Sequence, residues 1–189
     1  MSDKGEHSDE FIVSQVTSGQ RDLFRLLVRR YGRPVYGMGM SFFRNAEDAS
    51  DFAQEVFLKV YRSLPRFEER SRFSTWLYKI AYNTALNGVN RRTDFCSLAE
   101  VDRMPQASEL VDGDTPERQA IRNAAREAVL ASLKELPERY RVCVDLSFFY
   151  DCSYHEIEMI TGFPVNTIKS HVFRAKKLLR EKLSGIKGE

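Results

Sequence analysis

The stretch SYHEIEMITGFPVNTIKSHVFRAKKLLREKL, residues 153–183, is the part of the sequence that decides the fold. It predicts a short helix, a tight turn and a longer basic helix. Ser153 with Glu156 three residues later is the pattern of a capping box. Gly162 tolerates the positive φ that a turn needs, and Pro164 fits at or just before the start of the second helix. The arrangement is typical of a helix-turn-helix, whose second helix enters the DNA major groove.

The second predicted helix has an apolar face and a basic face. The apolar residues recur at helical spacing: Ile168, Val172, Ala175, Leu179 and Leu183. The opposite face holds Lys169, Ser170, Phe173, Arg174, Lys177 and Arg180. Residues 164–187 include seven basic side chains and one acid, an excess that suits a phosphate backbone. Contact with a thymine methyl group would explain Phe173 on this face. The alternative is a solvated helix with Phe173 packed on a neighbour.

The charge of the chain is unevenly distributed. With 189 residues and 42% hydrophobic content, the sequence is long enough for one domain or two small ones. The formal net charge of +2 divides into +3 for residues 1–91, −4 for residues 92–115 and +3 for residues 116–189. Two basic halves therefore flank an acidic middle.

Several classes of protein are disfavoured by what the sequence lacks. Cys96, Cys143 and Cys152 are isolated and form no CxxC pair, so we expect no zinc site. An odd cysteine count without a secretory signal indicates a reducing cytoplasm. No apolar run reaches membrane-spanning length. Surface or capping roles are expected for the three histidines, His7, His155 and His171. Without a nucleophile–base pair, a phosphate loop or a metal set, we expect neither an enzyme nor a cofactor.

Helical periodicity begins near residue 9. A helix from Asp9 is expected to break at Gly19, and a second should cover residues 22–31. Pro34 is expected to interrupt the pattern before a separate apolar stretch over residues 35–43. The next helix, over about residues 46–63, has capping residues before it.

One face of the helix over residues 46–63 mixes charges with an exposed leucine. Its members are Asp51, Gln54, Glu55, Leu58, Tyr61 and Arg62. This composition resembles a protein-binding surface. A solvated helix with a stray Leu58 is the alternative.

The helix predicted over residues 73–92 carries a polar stripe, which follows a charged loop containing Phe67. The stripe consists of Lys79, Asn83, Asn87 and Asn90. Asparagine is a poor helix former, so this stripe indicates a function. Asparagine, lysine and nearby aromatic rings can bind unpaired bases. In the alternative interpretation, Trp76, Tyr78 and Tyr82 are aromatic residues of the core or its rim. For Trp76 the pattern favours this alternative.

Periodicity is lost over residues 92–116, which we interpret as an acidic linker. Helices are predicted over residues 117–134 and 138–149, the second burying Tyr140, Val144, Leu146 and Phe148. The fold class is therefore all-α, with two small helical domains joined by a flexible linker. The C-terminal domain is expected to be a four-helix helix-turn-helix domain.

Four stretches together resemble the bacterial RNA polymerase sigma factors, specifically the extracytoplasmic-function group of the sigma-70 family. They are DASDFAQEVFLKVYRSLPRF (48–67), FSTWLYKIAYNTALN (73–87), LKELPERYRVCVDL (133–146) and residues 153–181. The resemblance covers most of residues 10–183. It implies a sigma domain two over residues 1–91, which binds core polymerase and recognises and melts the −10 element. It also implies a sigma domain four over residues 117–184, which recognises the −35 element.

The resemblance implies three sets of contact residues. The face expected on the clamp helices of the polymerase beta-prime subunit is Asp51, Gln54, Glu55, Leu58 and Arg62. The −10 set is Phe67, Trp76, Lys79, Asn83, Asn87 and Arg91, with Phe67 and Asn83 lining the pocket for a flipped base. The −35 set is Lys169, Ser170, Phe173, Arg174 and Lys177.

Departures from the family pattern leave the promoter sequence open. Lys169 stands where arginine is frequent, His171 where a basic residue is frequent, and Ser74 where a bulkier residue occurs. The partners implied are core RNA polymerase (beta-prime and beta subunits), promoter DNA and an anti-sigma factor, often membrane-anchored. A two-domain helix-turn-helix regulator that binds its operator without polymerase is the rival interpretation.

Overall fold

The computed structural model describes residues 7–93, 129, 131–133 and 135–185, with side chains described to residue 90 in the first range and to residue 183 in the last. These residues contain α-helices, short 3₁₀ segments and one π-helical turn, but no strand. The all-α prediction is therefore confirmed. The chain divides into two compact units, one formed mainly by its N-terminal half and one mainly by its C-terminal half.

The described part of the N-terminal unit contains four α-helices. They are α1 (Asp9–Thr17), α2 (Phe24–Phe43), α3 (Ala46–Ser63) and α4 (Phe73–Thr93). Side-chain caps begin two of them: the Ser8 hydroxyl accepts from the backbone N–H of Phe11, and the Asn45 side chain accepts from that of Glu47. Each cap satisfies a donor that the first turn of a helix leaves unpaired.

Pro34 lies inside α2, so the prediction that it interrupts the helix is wrong. A proline within a helix loses one hydrogen bond and costs about 3 kcal/mol. The buried face of α2 crosses this position, because Leu27 and Tyr31 precede it and Val35 and Met38 follow it. Each buried apolar side chain of this size contributes about 1.5–3 kcal/mol. Packing along the whole face therefore outweighs the local cost.

Gly39 allows α2 and α3 to approach closely. A Cβ atom at Gly39 would lie 2.7 Å from Cδ1 of Phe52 and 3.0 Å from Cα of Ala49. Only hydrogen fits there, which explains a glycine in the interior of a helix despite its low propensity. The α2–α3 contact in turn fixes the orientation of α3, whose outer face is one of the predicted contact surfaces.

The described part of the C-terminal unit contains three complete α-helices and, at residues 129 and 131–133, part of a preceding one. The complete helices are α5 (Glu138–Val144), α6 (Tyr154–Thr161) and α7 (Val165–Gly185), with a π-helical turn (Asp145–Phe149) after α5. The predicted linker and most of the predicted helix over residues 117–134 lie outside the described residues. One buried cluster joins α5 to α7 and is formed by Leu133, Leu136, Tyr140, Val144 and Ala175.

The helix-turn-helix follows the sequence prediction closely. Ser153 and Glu156 form the capping box, with the backbone N–H of Ser153 2.9 Å from Oε2 of Glu156. Gly162 ends α6 with a φ of 76°, the left-handed conformation that glycine adopts without strain. The carbonyl of Pro164 accepts from the backbone N–H groups of Thr167 and Ile168, so α7 begins directly after it.

Phe148 is exposed, which makes the prediction of its burial wrong. It lies in the π-helical turn, and 55% of its surface is accessible, as is 59% of that of Phe149. A π-helical turn holds more residues than an α-helical one, so side chains after it no longer follow the 3.6-residue period. Leu146 remains buried, but Phe148 rotates outward, with the Lys176 ammonium 4.8 Å from its ring centre.

Candidate functional site

Five of the six residues of the mixed face on α3 are exposed: Asp51, Gln54, Glu55, Leu58 and Arg62. The sixth, Tyr61, is half-buried, with its ring centre 5.0 Å from that of Phe24. Leu58 is 56% exposed, and the opposite side of the helix, including Val56 and Val60, is buried. A Lys59 ammonium on the same helix pairs with Glu55 at 2.6 Å and donates to the Thr84 hydroxyl of α4 at 3.2 Å. An exposed leucine among charged side chains on a rigidly packed helix is a suitable contact surface for another protein.

The polar stripe of α4 is exposed. Lys79, Asn83 and Asn87 face solvent, whereas Leu77, Ala81 and Ala85 are buried. Within the described residues, no side-chain hydrogen bond or ion pair engages Lys79, Asn83 or Asn87. Their polar groups are therefore available to an external partner. Arg91 also lies in α4, but its side chain is outside the described residues.

Aromatic rings connect the loop before α4 to α4 itself. Phe67 and Trp76 are both half-buried, with ring centres 5.1 Å apart. Phe73 packs against both rings, with its ring centre 5.7 Å from that of Phe67 and 5.8 Å from that of Trp76. Tyr78 and Tyr82 are buried, as the core alternative predicted. The half-buried Trp76 fits a rim position. It lies on α4, the helix that carries the polar stripe, and the ring of Phe67 packs beside it.

The −35 set lies together on the exposed side of α7. Its members, all exposed, are Lys169, Ser170, Phe173, Arg174 and Lys177. Ile168, Val172 and Ala175 are buried on the other side. Phe173 is 70% exposed and forms no ring contact with any described residue, so the alternative in which it packs on a neighbour is not the arrangement observed. A large apolar ring left in solvent on a basic face is consistent with an external contact.

Arg174 is held by a residue of α5. Its Nη1 donates to the hydroxyl oxygen of Tyr140 at 3.3 Å, and the guanidinium of Arg139 lies 5.3 Å from the centre of the Tyr140 ring. The hydrogen bond from Arg174 lowers the pKa of Tyr140 below its usual value. Sequence reasoning treated Tyr140 only as a core residue. The sequence signal for a further role was that a buried tyrosine hydroxyl needs a hydrogen-bond partner, but the sequence does not identify that partner.

His171 is neither a surface nor a capping residue, contrary to the prediction. Its ring packs 5.1 Å from that of Tyr140 and 5.4 Å from that of Phe163, and its Nδ1 lies 3.7 Å from Sγ of Cys143. Burial, together with the charges of Arg139 and Arg174, lowers the pKa of His171. Burial also raises the pKa of the Cys143 thiol to about 11, so this cysteine is protonated and unreactive at neutral pH.

The described residues hold neither a metal-binding cluster nor a membrane-spanning helix. No group of three or more His, Cys, Asp or Glu side chains in that part of the chain is placed to hold a metal ion. In the same residues, no helix is both long and apolar enough to cross a membrane.

Two protein-family models match the chain, one in each unit. The model "Sigma-70 region 2" matches residues 27–94, and "Sigma-70, region 4" matches residues 126–179. The first contains the exposed faces of α3 and α4, and the second contains the helix-turn-helix.

Curated relatives are similar over nearly the whole chain. The RNA polymerase sigma-H factor of Pseudomonas aeruginosa is 34% identical over 185 residues, covering 94% of this chain and 95% of the relative. The ECF RNA polymerase sigma-E factors of Haemophilus influenzae and Escherichia coli K12 are 34% and 33% identical over 181 residues. Each of these two alignments covers 93% of this chain, and they cover 95% and 94% of the respective relatives.

Two solved structures share the fold. CnrH, solved in complex with the cytosolic domain of CnrY, has a TM-score of 0.67 at 22% identity, covering 95% of this chain and 99% of CnrH. The sigma factor RpoE of Bartonella quintana, solved with the anti-sigma factor NepR, has the same TM-score and identity, covering 85% of this chain and 96% of that one. The sequence matches carry the family assignment: this chain belongs to the sigma-70 family of RNA polymerase sigma factors, in its extracytoplasmic-function group.

Proposed function

We propose that the chain directs promoter-specific transcription initiation by two surfaces with different chemistries, one on each unit. The proposal rests on the exposed Lys79–Asn83–Asn87 stripe of α4 together with the exposed basic face of α7 around Phe173. The face of α3 around Leu58 binds core RNA polymerase through the clamp helices of the beta-prime subunit. Residues 1–91 act as sigma domain two, residues 92–116 as linker and residues 117–184 as sigma domain four.

The two surfaces suit the two states of promoter DNA. Opening the −10 element extrudes bases at a cost of a few kcal/mol each. Stacking on aromatic rings such as Phe67 and Trp76 returns roughly 1–3 kcal/mol per base, and Asn83 supplies hydrogen bonds to base edges. The −35 element stays double-stranded, so it is read by a helix in the major groove. There Arg174 contacts base edges, Phe173 contacts a thymine methyl, and Lys169, Ser170 and Lys177 contact phosphates or bases.

The chain acts as a binding protein in the cytoplasm and has no catalytic site of its own. An anti-sigma factor controls it by covering the polymerase- and DNA-binding faces. This part of the proposal is supported by the complexes in which the structural relatives were solved, with CnrY and with the anti-sigma factor NepR.

Transcription in vitro with sigma-free core polymerase tests the proposal. Core polymerase is mixed with the full chain and a library of promoter fragments from the source bacterium, and the 5′ ends of the transcripts are mapped. We expect specific starts that appear only when both proteins are present, and co-elution of the chain with core polymerase.

The rival interpretation, a two-domain helix-turn-helix regulator, predicts the opposite result. It would protect operator DNA tightly without polymerase and would not co-elute with the core enzyme. Absence of association with core polymerase would therefore rule out the sigma function.

A further inference from the structure

We propose that Tyr140 is a positioning residue for −35 recognition, holding the Arg174 guanidinium in place on α7 before DNA binds. The inference rests on the proposed role of α7 and adds a residue from α5 to the −35 reader. Tyr140 itself is 8% exposed and is not proposed to contact DNA. It acts through Arg174.

The hydroxyl of Tyr140 is fixed by the packing of its ring. The ring belongs to the buried cluster between α5 and α7, where Val144 and Ala175 are among its neighbours. The His171 ring packs against it at 5.1 Å, and the Arg139 guanidinium lies over it at 5.3 Å. A ring enclosed on several sides has one rotamer, so its hydroxyl oxygen is a fixed acceptor.

Arg174 is an exposed residue that gains order from this acceptor. Its Nη1 lies 3.3 Å from the Tyr140 oxygen. A free arginine side chain has many rotamers, and binding a base pair requires one of them. Holding the guanidinium before association removes part of that entropic cost, as preorganisation does generally. Guanidinium has five N–H donors, so donation to Tyr140 leaves others for a guanine edge.

The other members of the −35 set are not held in this way. Within the described residues, Lys169, Ser170 and Phe173 have no side-chain partner. Lys177 pairs only with Glu181 on its own helix, at 3.9 Å. Among contacts between described residues, Arg174 is thus the one member of the set that another helix positions, so we expect it to be the main determinant of base choice in the −35 element.

A double-mutant cycle tests the inference. Tyr140→Phe, Arg174→Ala and the double variant are bound, as complexes with core polymerase, to a duplex containing the −35 element of a mapped promoter. Tyr140→Phe keeps the ring and removes only the acceptor. Tyr154→Phe is the matched control, since it removes a tyrosine hydroxyl that has no partner among the described residues of the same unit. Melting curves of the free chains verify folding.

We expect Tyr140→Phe to weaken −35 binding by about 2- to 10-fold, the range for one hydrogen bond. The double variant should bind no more weakly than Arg174→Ala alone. Arg174→Ala should reduce the slope of log affinity against log salt by about 1, whereas Tyr140→Phe should leave the slope unchanged because no charge is removed. Tyr154→Phe should bind like the wild type.

The outcomes separate this inference from the proposed function. If Arg174→Ala weakens binding while Tyr140→Phe does not, or if the two losses add in the double variant, Tyr140 does not position Arg174 and the role of α7 stands. If Arg174→Ala leaves −35 binding unchanged, the proposed role of Arg174 is itself wrong, and the inference is wrong with it.

Discussion

The two units differ in whether a neighbouring helix holds one of the exposed functional side chains. On α4, Lys79, Asn83 and Asn87 have no side-chain partner among the described residues. On α7, Arg174 is held from outside its helix by Tyr140. Near the α4 stripe, the side chains that pack against each other are the aromatic pair Phe67 and Trp76.

This difference matches the two forms of DNA. Base edges in a duplex occupy fixed positions in the major groove, so a side chain held in advance loses little entropy on binding. Unpaired bases adopt many orientations, and any base can stack on an aromatic ring. Polar side chains that remain free to rotate can then adapt to the base that has been captured. The held Arg174 therefore suits a fixed base edge, and the unheld side chains of α4 suit bases whose orientation varies.

Disrupting the α3 face should give the largest effect. A loss of affinity would show that this face of the N-terminal unit binds core polymerase. Leu58→Asp places a charge at the exposed apolar centre of that face. Since central interface residues contribute about 2 kcal/mol or more, we expect at least about a 30-fold loss of affinity for core polymerase. Affinity is measured by fluorescence anisotropy with labelled chain. Ser14→Asp adds the same charge to an exposed position of α1, on a different helix of the same unit, and it should bind normally. Equal losses in the two variants would contradict the assignment.

A pair of glycines in α2 tests the packing that supports α3. Gly39→Ala forces a methyl group against Phe52 and Ala49, and should lower the free energy of unfolding by about 1–3 kcal/mol. Gly32→Ala meets nothing within 4 Å and should raise it by about 0.5–1 kcal/mol. The single tryptophan, Trp76, lies in this unit, so urea unfolding followed by its fluorescence reports on the right region. If Gly39→Ala proved neutral, the close α2–α3 approach would be wrong.

The smallest expected effect is a pH dependence confined to the C-terminal unit. The pKa of His171 is lowered by burial and by Arg139 and Arg174, so the unfolded state binds the proton more tightly than the folded one. Stability is then complete above the ordinary pKa of about 6.5 and declines as the pH falls through it. In a proton NMR titration, the imidazole signal that is absent in His171→Gln should titrate below 6.5, and that variant should lose less stability between pH 7.5 and 5.5. A His171 titration at or above 6.5 would contradict the packed position.

The C-terminal unit shows how far local sequence rules extend. Ser153, Glu156 and Gly162 act within a few residues of themselves, and their capping roles could be predicted. The alternating burial along α7 follows from helical periodicity in the same way. The π-helical turn defeats that periodicity, which is why Phe148 was misplaced.

Long-range contacts account for the other differences. Pro34 stays helical because the packed face of α2 continues past it, and no local rule includes that energy. By local propensity Gly39 is only a weak helix former, and its role in close packing follows from the contact with α3. The Tyr140–Arg174 hydrogen bond joins residues 34 positions apart, and the sequence contains no signal for that pairing. The positions of the candidate site residues were predictable, whereas the way they are supported was not.

The most direct test of the central claim measures both promoter elements with one variant from each unit. Arg174→Ala and Asn83→Ala, each bound to core polymerase, are titrated with a −35 duplex and with a pre-opened −10 bubble. Arg174→Ala should lose about 5- to 150-fold on the duplex only, and Asn83→Ala about 2- to 10-fold on the bubble only. If Asn83→Ala binds the pre-opened bubble as tightly as the wild type, or if either variant weakens both probes equally, the division of the two chemistries between the two units is wrong.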